Sequence, residues 1–277
     1  MEFKLKKNIN YIIAGTICLL LLILYVFPFI LVVINSLKQR LEVIKSPLSL
    51  PDSLSLGNYK NAYVTMNFGK ALVNSLLITV ASVLVIILFS SMLAYYLVRN
   101  KSKLTTFIFM TLVASMIIPF QSVMIPFVTI FGNSGLLNNR AMLVYYYLGF
   151  GISMATFMFH GFIKSIPEGL EEAAVIDGAN QFQVFFKIIF PLLTPTTATI
   201  AILDVLWIWN DFLLPSLVLV KDSVRTLPLS TFYFFGKYTS DYSVAMAALV
   251  LVLIPILIFY LVMQKKIIDG ITEGAVK

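Results

Sequence analysis

The stretch EEAAVIDGANQFQVFFKIIFPLLTP at residues 171–195 decides how the rest of this 277-residue chain is read. Its carboxylates Glu171, Glu172 and Asp177, a glycine at 178 and prolines at 191 and 195 surround a pair of alanines, in a chain otherwise written largely in Leu, Ile, Val, Phe and Tyr. Just upstream, Ser165 followed three residues later by Glu168 is the pattern of a capping box, and Pro167 falls in a first turn that has no use for its missing N–H. The spacing therefore predicts a helix of about three turns through Glu172, Ala173 and Ala174, stopped by a left-handed residue at Gly178. From Asn180 a second short helix is expected. Its Phe182, Phe185, Phe186 and Ile189 recur at intervals of three and four as one apolar face, and Pro191 ends it. Two helices bent at a glycine make a polar elbow between two apolar segments.

Those segments set the fold class. The chain is 60% hydrophobic and 12% charged, against roughly a quarter charged in soluble domains. An all-α, polytopic membrane protein follows. Six stretches reach the roughly 20 residues that an apolar bilayer core of about 30 Å requires. They are 11–34, 72–98, 105–130, 141–162, 192–220 and 244–263, and the elbow occupies the loop 163–190. Lys4, Lys6 and Lys7, then Arg99, Lys101 and Lys103, then Lys265 and Lys266 flank alternate spans, which places both termini and the 163–190 loop in the cytoplasm. Lys38, Arg40, Lys45, Lys60 and Lys70 oppose that bias from the first outside loop, whose length reduces their weight. The basic N-terminus precedes an apolar run with no small-residue cleavage site, so it reads as a retained first helix. The net charge of +7 belongs to residues that anchor spans against membrane lipid headgroups, not to a nucleic-acid surface. In the first outside loop, Pro47, Pro51 and Gly57 precede an expected short helix at 58–64. Pro119 and Pro126 mark the third span as one that packs inside a bundle or lines a path. One cysteine, Cys18, builds neither a disulfide nor a metal site, and no cofactor, metal or catalytic set is expected.

A loop that rested on anionic headgroups would be basic, whereas this one is acidic. Small side chains allow another backbone to come close, and carboxylates give a partner's Arg or Lys something to pair with. The elbow is thus expected to dock a cytoplasmic protein. Asp177 stands near a helix C-terminus, where the macrodipole disfavours an anion, so it reaches forward to the N–H groups of the next helix or outward to that partner.

Glu172, Ala173, Ala174 and Gly178, followed by Ile188 and Pro191, resemble the EAA loop of ATP-binding-cassette (ABC) importer membrane subunits, with Phe190 where the pattern has Leu. WIWNDFLLP at 207–215 and DGITEGAVK at 269–277 are similar to the carbohydrate branch, specifically its maltose-transporter-like second membrane subunit. The resemblance implies a type I ABC importer transmembrane domain over 1–277 in a bacterial cytoplasmic membrane. It implies ATPase coupling through Glu172, Ala173, Ala174, Asp177, Gly178 and Ala179. It also implies a homologous second permease subunit, two ATPase subunits, an external sugar-binding protein and a carbohydrate, an oligosaccharide, as substrate. A phosphate-cradling loop is missing: Gly69-Lys70 and Gly236-Lys237 continue into Ala71 and Tyr238 instead of Ser or Thr. ATP hydrolysis must then be supplied by another chain.

Within the fifth span, Asp204 and Asp211 are seven residues apart on one helical face, with Trp207 and Asn210 close by. A central carboxylate costs about 2.5–3.5 kcal/mol on insertion scales, so both should face the bundle or a water-filled path. Contacts to sugar hydroxyls and interhelical hydrogen bonds are equally open readings. His160 reads as interfacial, and Tyr145, Tyr146 and Tyr147 as belt or core aromatics. The alternative to an ABC importer is an ion-coupled secondary transporter. That class favours ionisable pairs across several spans, and here one span carries central acids.

Overall fold

In lipid, a spanning segment must satisfy its own backbone N–H and C=O groups, so long apolar runs fold as helices. Our computed structural model describes residues 2–235 and 241–275, and every regular element among them is helical. Met1, 236–240, Val276 and Lys277 lie outside the described residues; Gly236-Lys237-Tyr238 and the last two residues of DGITEGAVK are among them. In chain order the elements begin with α1 (Glu2–Ser36), α2 (Arg40–Lys45), α3 (Gly57–Thr65), α4 (Phe68–Arg99) and α5 (Lys103–Ser115). There follow α6 (Phe120–Asn133), α7 (Arg140–Ile163), α8 (Gly169–Ile176), α9 (Gln181–Val184), a π-turn (Phe185–Ile189) and α10 (Phe190–Leu192). The last are α11 (Thr194–Asn210), α12 (Leu213–Val218), α13 (Leu227–Ser230) and α14 (Tyr242–Ala275), with 3-10 turns at Asp222–Val224 and Thr231–Phe235.

Among the described residues, four helices, α1, α4, α7 and α14, are long and apolar enough to cross a membrane, and the number is six if each of two bent pairs counts as one span. Two of the six expected stretches are bent. The third is α5 and α6, meeting at 103°. Pro119 is the N-cap of α6 with extended backbone, whereas Pro126 is carried inside α6. Pro119 cannot continue the i→i−4 ladder, and it disfavours α geometry in the residue before it, which makes 116–119 the weak point. The fifth is broken twice. Gln181–Leu192 and Thr194–Asn210 meet at 74°, and the helix stops again at Asp211, whose ψ of 127° is extended.

The chain divides into two compact units. One holds residues up to Phe68 together with Thr231–Pro255. Its loop after α1 is ordered by buried polar groups: Asn58 Nδ2 donates to the carbonyls of Ser36 and Lys38 at 2.8 Å each, and the Ser36 and Tyr59 hydroxyls are 2.6 Å apart. Lys38, counted above among the charges of that loop, is wholly buried. Its Nζ donates to the Ser46 carbonyl at 2.8 Å, so it is an internal tie and not a headgroup anchor.

The other unit holds Gly69–Ser230 and the chain from Ile256 onward. In it α7 packs against α5 and α11. A Cβ on Gly151 of α7 would come 2.7 Å from Ile86 Cδ1 of α4 and 3.4 Å from the Trp207 ring of α11, so the glycine allows the three helices their close approach. Its core runs through Ile78, Ile86, Tyr147, Phe159, Ile189 and Ile200, and reaches Ala174 of the elbow. At the end where α7 begins, buried Asn74 donates to the carbonyls of Ser223 and Arg225 and accepts from Arg140 Nη1 at 2.8 Å. Asn138, in the left-handed region at φ 58°, accepts the N–H groups of Val220 and Lys221 at 2.7 and 2.8 Å.

Candidate functional site: the elbow between α7 and α11

The elbow forms, but it starts later than its sequence suggests. Ser165 Oγ donates back to the Phe162 carbonyl at 2.7 Å instead of capping forward, so no capping box joins it to Glu168, and α8 begins at Gly169. Eight residues make just over two turns instead of three. The stop is as expected. Gly178 has φ 88°, the Ala179 N–H bonds the Ala174 carbonyl at 2.9 Å, and the Gly178 N–H bonds the Val175 carbonyl at 3.0 Å, together a Schellman motif. α9 then starts with a reciprocal capping box, in which Asn180 Oδ1 and Gln183 Oε1 each accept the other residue's backbone N–H at 2.9 Å. That box takes the N–H group Asp177 was expected to reach. Asp177 is exposed and makes no side-chain bond to any described residue, so it does not reach forward to the next helix.

The expected apolar face of the second helix is half right. Phe185 and Ile189 are buried, with Val184, whereas Phe182 and Phe186 are exposed. The ideal spacing is broken by the π-turn, in which the Phe190 N–H reaches back five residues to the Phe185 carbonyl. A wider turn rotates later side chains relative to a 3.6-residue repeat. Pro191 does not end the helix; it sits in α10, and the break follows at Leu193. Around the Schellman turn, Ala174, Asp177, Gly178 and Ala179 line a cleft of ≈ 420 Å³ together with Gln183 and Lys187. Glu172 and Ala173 are exposed, as are the apolar Leu170, Val175, Ile176 and Phe182, while Ala174 is buried in the core.

A contact missed in the sequence fixes the elbow in place. Glu171, the neighbour of Glu172, turns inward. Arg99 at the end of α4 donates through Nε to Glu171 Oε1 at 2.7 Å, with Nη2 2.6 Å from the same oxygen, and both side chains are only 13% exposed. Tyr95, one turn earlier on α4, donates to Glu171 Oε2 at 2.7 Å. Arg99 Nη2 also donates to the Ile166 carbonyl at 3.1 Å, and the Tyr95 ring lies 5.4 Å from that of Phe185. The end of α4 therefore grips both limbs of the elbow. The macrodipoles favour the arrangement, since Arg99 closes the last turn of α4 and Glu171 opens the first turn of α8. The available signal was the i,i+4 pair Tyr95 and Arg99 at the end of a span, facing a doubled acid of which only one could be outward.

The four intramembrane candidates separate. Because the helix breaks at Asp211, that residue does not share a helical face with Asp204. Asp211 Oδ1 accepts the N–H of Leu213 at 2.9 Å to start α12, and Oδ2 accepts the Tyr147 hydroxyl at 3.0 Å, so the structure shows it as an interhelical tie. Asn210 is exposed and donates to the Leu206 carbonyl of its own helix at 2.8 Å. Trp207, also exposed, meets buried Tyr147 edge-on at 5.6 Å. Asp204 is buried on α11, and its Oδ2 accepts no hydrogen bond from any described residue. A carboxylate with no internal partner adds no stability, so Asp204→Asn should leave insertion and thermal stability intact. Uptake is where its loss should register. Full uptake by the variant would remove Asp204 from the path. Elsewhere, Tyr146 and Phe159 are core residues, Tyr145 is exposed, and His160 stacks on Phe109 at 4.0 Å.

The elbow, its grip on α4 and α11 all fall within residues 86–272, which match the family model of the binding-protein-dependent transport system inner membrane component. The chain belongs to this family. It is 49% identical over 272 residues to the probable starch degradation products transport system permease protein AmyC of Thermoanaerobacterium thermosulfurigenes, covering 98% of this chain and 99% of that one. It is 38% identical over 278 residues to the multiple sugar-binding transport system permease protein MsmG of Streptococcus mutans, covering 99% and 100%. With the melibiose/raffinose/stachyose import permease protein MelC of Bacillus subtilis it shares 35% over 251 residues, covering 90% and 91%. Its fold is that of a bacterial ABC transporter involved in the import of the acidic polysaccharide alginate, at a TM-score of 0.79 over 94% of this chain and 97% of that one, with 23% identity. The protein is accordingly a non-catalytic permease subunit of an ABC importer, a multi-pass inner membrane component of a system that also employs a binding protein and ATPases. Membership displaces the ion-coupled alternative.

Proposed function

We propose that this permease carries an oligosaccharide inward by alternating access, forming the path with a homologous second permease subunit. The elbow at Glu172, Ala173, Ala174, Asp177, Gly178 and Ala179 takes up the stroke of two cytoplasmic ATPase subunits, and an external sugar-binding protein delivers the substrate. The observation that carries this reading is the elbow itself. An exposed acid and small or apolar side chains surround a left-handed glycine, and Glu171 locks that surface to α4 so that a push on it moves a spanning helix. Carbohydrate is supported by the relatives, whose names cite starch degradation products, multiple sugars, and melibiose, raffinose and stachyose. Proteoliposomes holding the assembled transporter should accumulate malto-oligosaccharide or raffinose when ATP is enclosed. Uptake driven by a proton or sodium gradient without ATP would contradict the proposal.

The reading also fixes a topology, with both termini and the elbow in the cytoplasm. Single cysteines introduced in a Cys18→Ala background at Lys4, Lys101, Glu172 or Lys277 should resist a membrane-impermeant thiol reagent in intact cells. Cysteines at Asp52, Asn138 or Asp222 should react. Labelling at position 172 from outside would reverse the orientation.

A further inference from the structure

The turn between α4 and α5, with the end of α7, lines a separate open cleft of ≈ 980 Å³ to which none of the six coupling residues contributes. Its charge is lopsided. Lys101, Lys103 and Lys164 face one carboxylate, Glu168, since Arg99 is neutralised by Glu171. Lys101 reaches Glu168 at 3.3 Å with the two side chains 79% and 55% exposed, a pairing that water largely screens. Lys103 and Lys164 are exposed and make no side-chain hydrogen bond or ion pair with any described residue. The remaining wall is apolar, with Leu97, Val98, Phe109 and Met110, and the Phe109 ring is backed by His160.

The position narrows what could occupy such a cleft. α4 and α7, both long and apolar enough to cross a membrane, end here and α5 begins here, so the lysines stand at the ends of candidate spans. From them α5 runs on with Leu104, Phe107 and Met110 exposed at intervals of three. Met110 lies about 10 Å from Lys103 along the helix axis, at 1.5 Å per residue. Three ammonium groups next to an exposed apolar helix face match a molecule with an anionic head and hydrocarbon tails. A free phosphate would use only the first half, and an acidic peptide would leave the second half exposed.

We propose that this cleft is a binding site for an anionic phospholipid, its phosphate held by Lys101, Lys103 and Lys164 and its acyl chains lying along Leu104, Phe107 and Met110. The site does not depend on which sugar is carried or on how ATPases dock. To test it, the full-length chain is reconstituted in nanodiscs of phosphatidylcholine containing a minority of phosphatidylglycerol, and retained lipid is counted by native mass spectrometry. Wild type should retain phosphatidylglycerol in preference to phosphatidylcholine. Lys103→Gln/Lys164→Gln should bind it about thirtyfold more weakly, the effect of two basic residues near a membrane surface. Lys60→Gln/Lys70→Gln, which alters lysines away from the cleft, should match wild type. If the first double variant does not insert, Lys164→Gln alone should show about a fivefold loss and Lys164→Arg none. Equal retention by wild type and the cleft variants would overturn the site. Displacement of the lipid by millimolar inorganic phosphate or by an acidic peptide would overturn the choice of ligand.

Discussion

Glu171→Gln should loosen the elbow from α4 while the chain remains in the membrane. The substitution keeps the shape of the side chain and an acceptor for Tyr95, but it leaves Arg99 charged, only 13% exposed, and facing a neutral amide. Removing one partner of a buried pair typically costs about 3–5 kcal/mol, because the remaining charge is stranded. A loss near the lower figure is expected, since Arg99 still donates to the Ile166 carbonyl. Arg99→Met should cost a similar amount by stranding the carboxylate. Joining Arg99→Met with Glu171→Leu should cost less than either single change, because replacing both members by apolar groups leaves no charge to strand. Thermal denaturation of the three purified variants measures this directly. Wild-type stability for Glu171→Gln would mean that the pair does not hold the elbow.

The expected spans at 72–98 and 141–162 coincide with α4 and α7 to within a few residues, because uniform apolar runs bounded by basic or turn residues leave a helix few other places to end. The Gly178 stop was equally legible, since a glycine after an alanine-rich turn is a strong local signal. What the sequence hid was set by tertiary contacts or by backbone deviations. The residues EE at 171 and 172 look alike in one dimension, and only the approach of Arg99 distinguishes the inward acid from the outward one. Phe182, Phe185, Phe186 and Ile189 fit one apolar face at ideal helical spacing, but the π-turn at Phe185–Ile189 breaks that spacing, and Phe182 and Phe186 are exposed. Asp204 and Asp211 share a face only if the helix is continuous, and the extended backbone at Asp211 ends it.

Glu172→Lys and Gly178→Asp isolate the outer surface of the elbow from its internal supports. Glu172 is exposed and makes no side-chain bond to any described residue, so reversing its charge leaves the fold as it is. At Gly178 a Cβ would meet nothing within 4 Å, and the internal cost is only that of holding a non-glycine residue at φ 88°, roughly 1 kcal/mol. Neither change should unfold the permease. On the coupling role proposed above, a large effect must then arise outside the chain, from a partner's basic side chain meeting Glu172 and the wall of its cleft passing close to Gly178. Each variant should weaken ATPase retention at least about tenfold, as loss of a contact at the centre of an interface does.

The most direct measurement is co-purification of the ATPase subunits with each variant, paired with substrate-stimulated ATP hydrolysis by the same preparations in liposomes. Wild type should retain the ATPase and show stimulation, while Glu172→Lys and Gly178→Asp should insert normally and lose one or both. Wild-type retention together with wild-type stimulation in both variants would show that the elbow is a surface loop and receives no stroke.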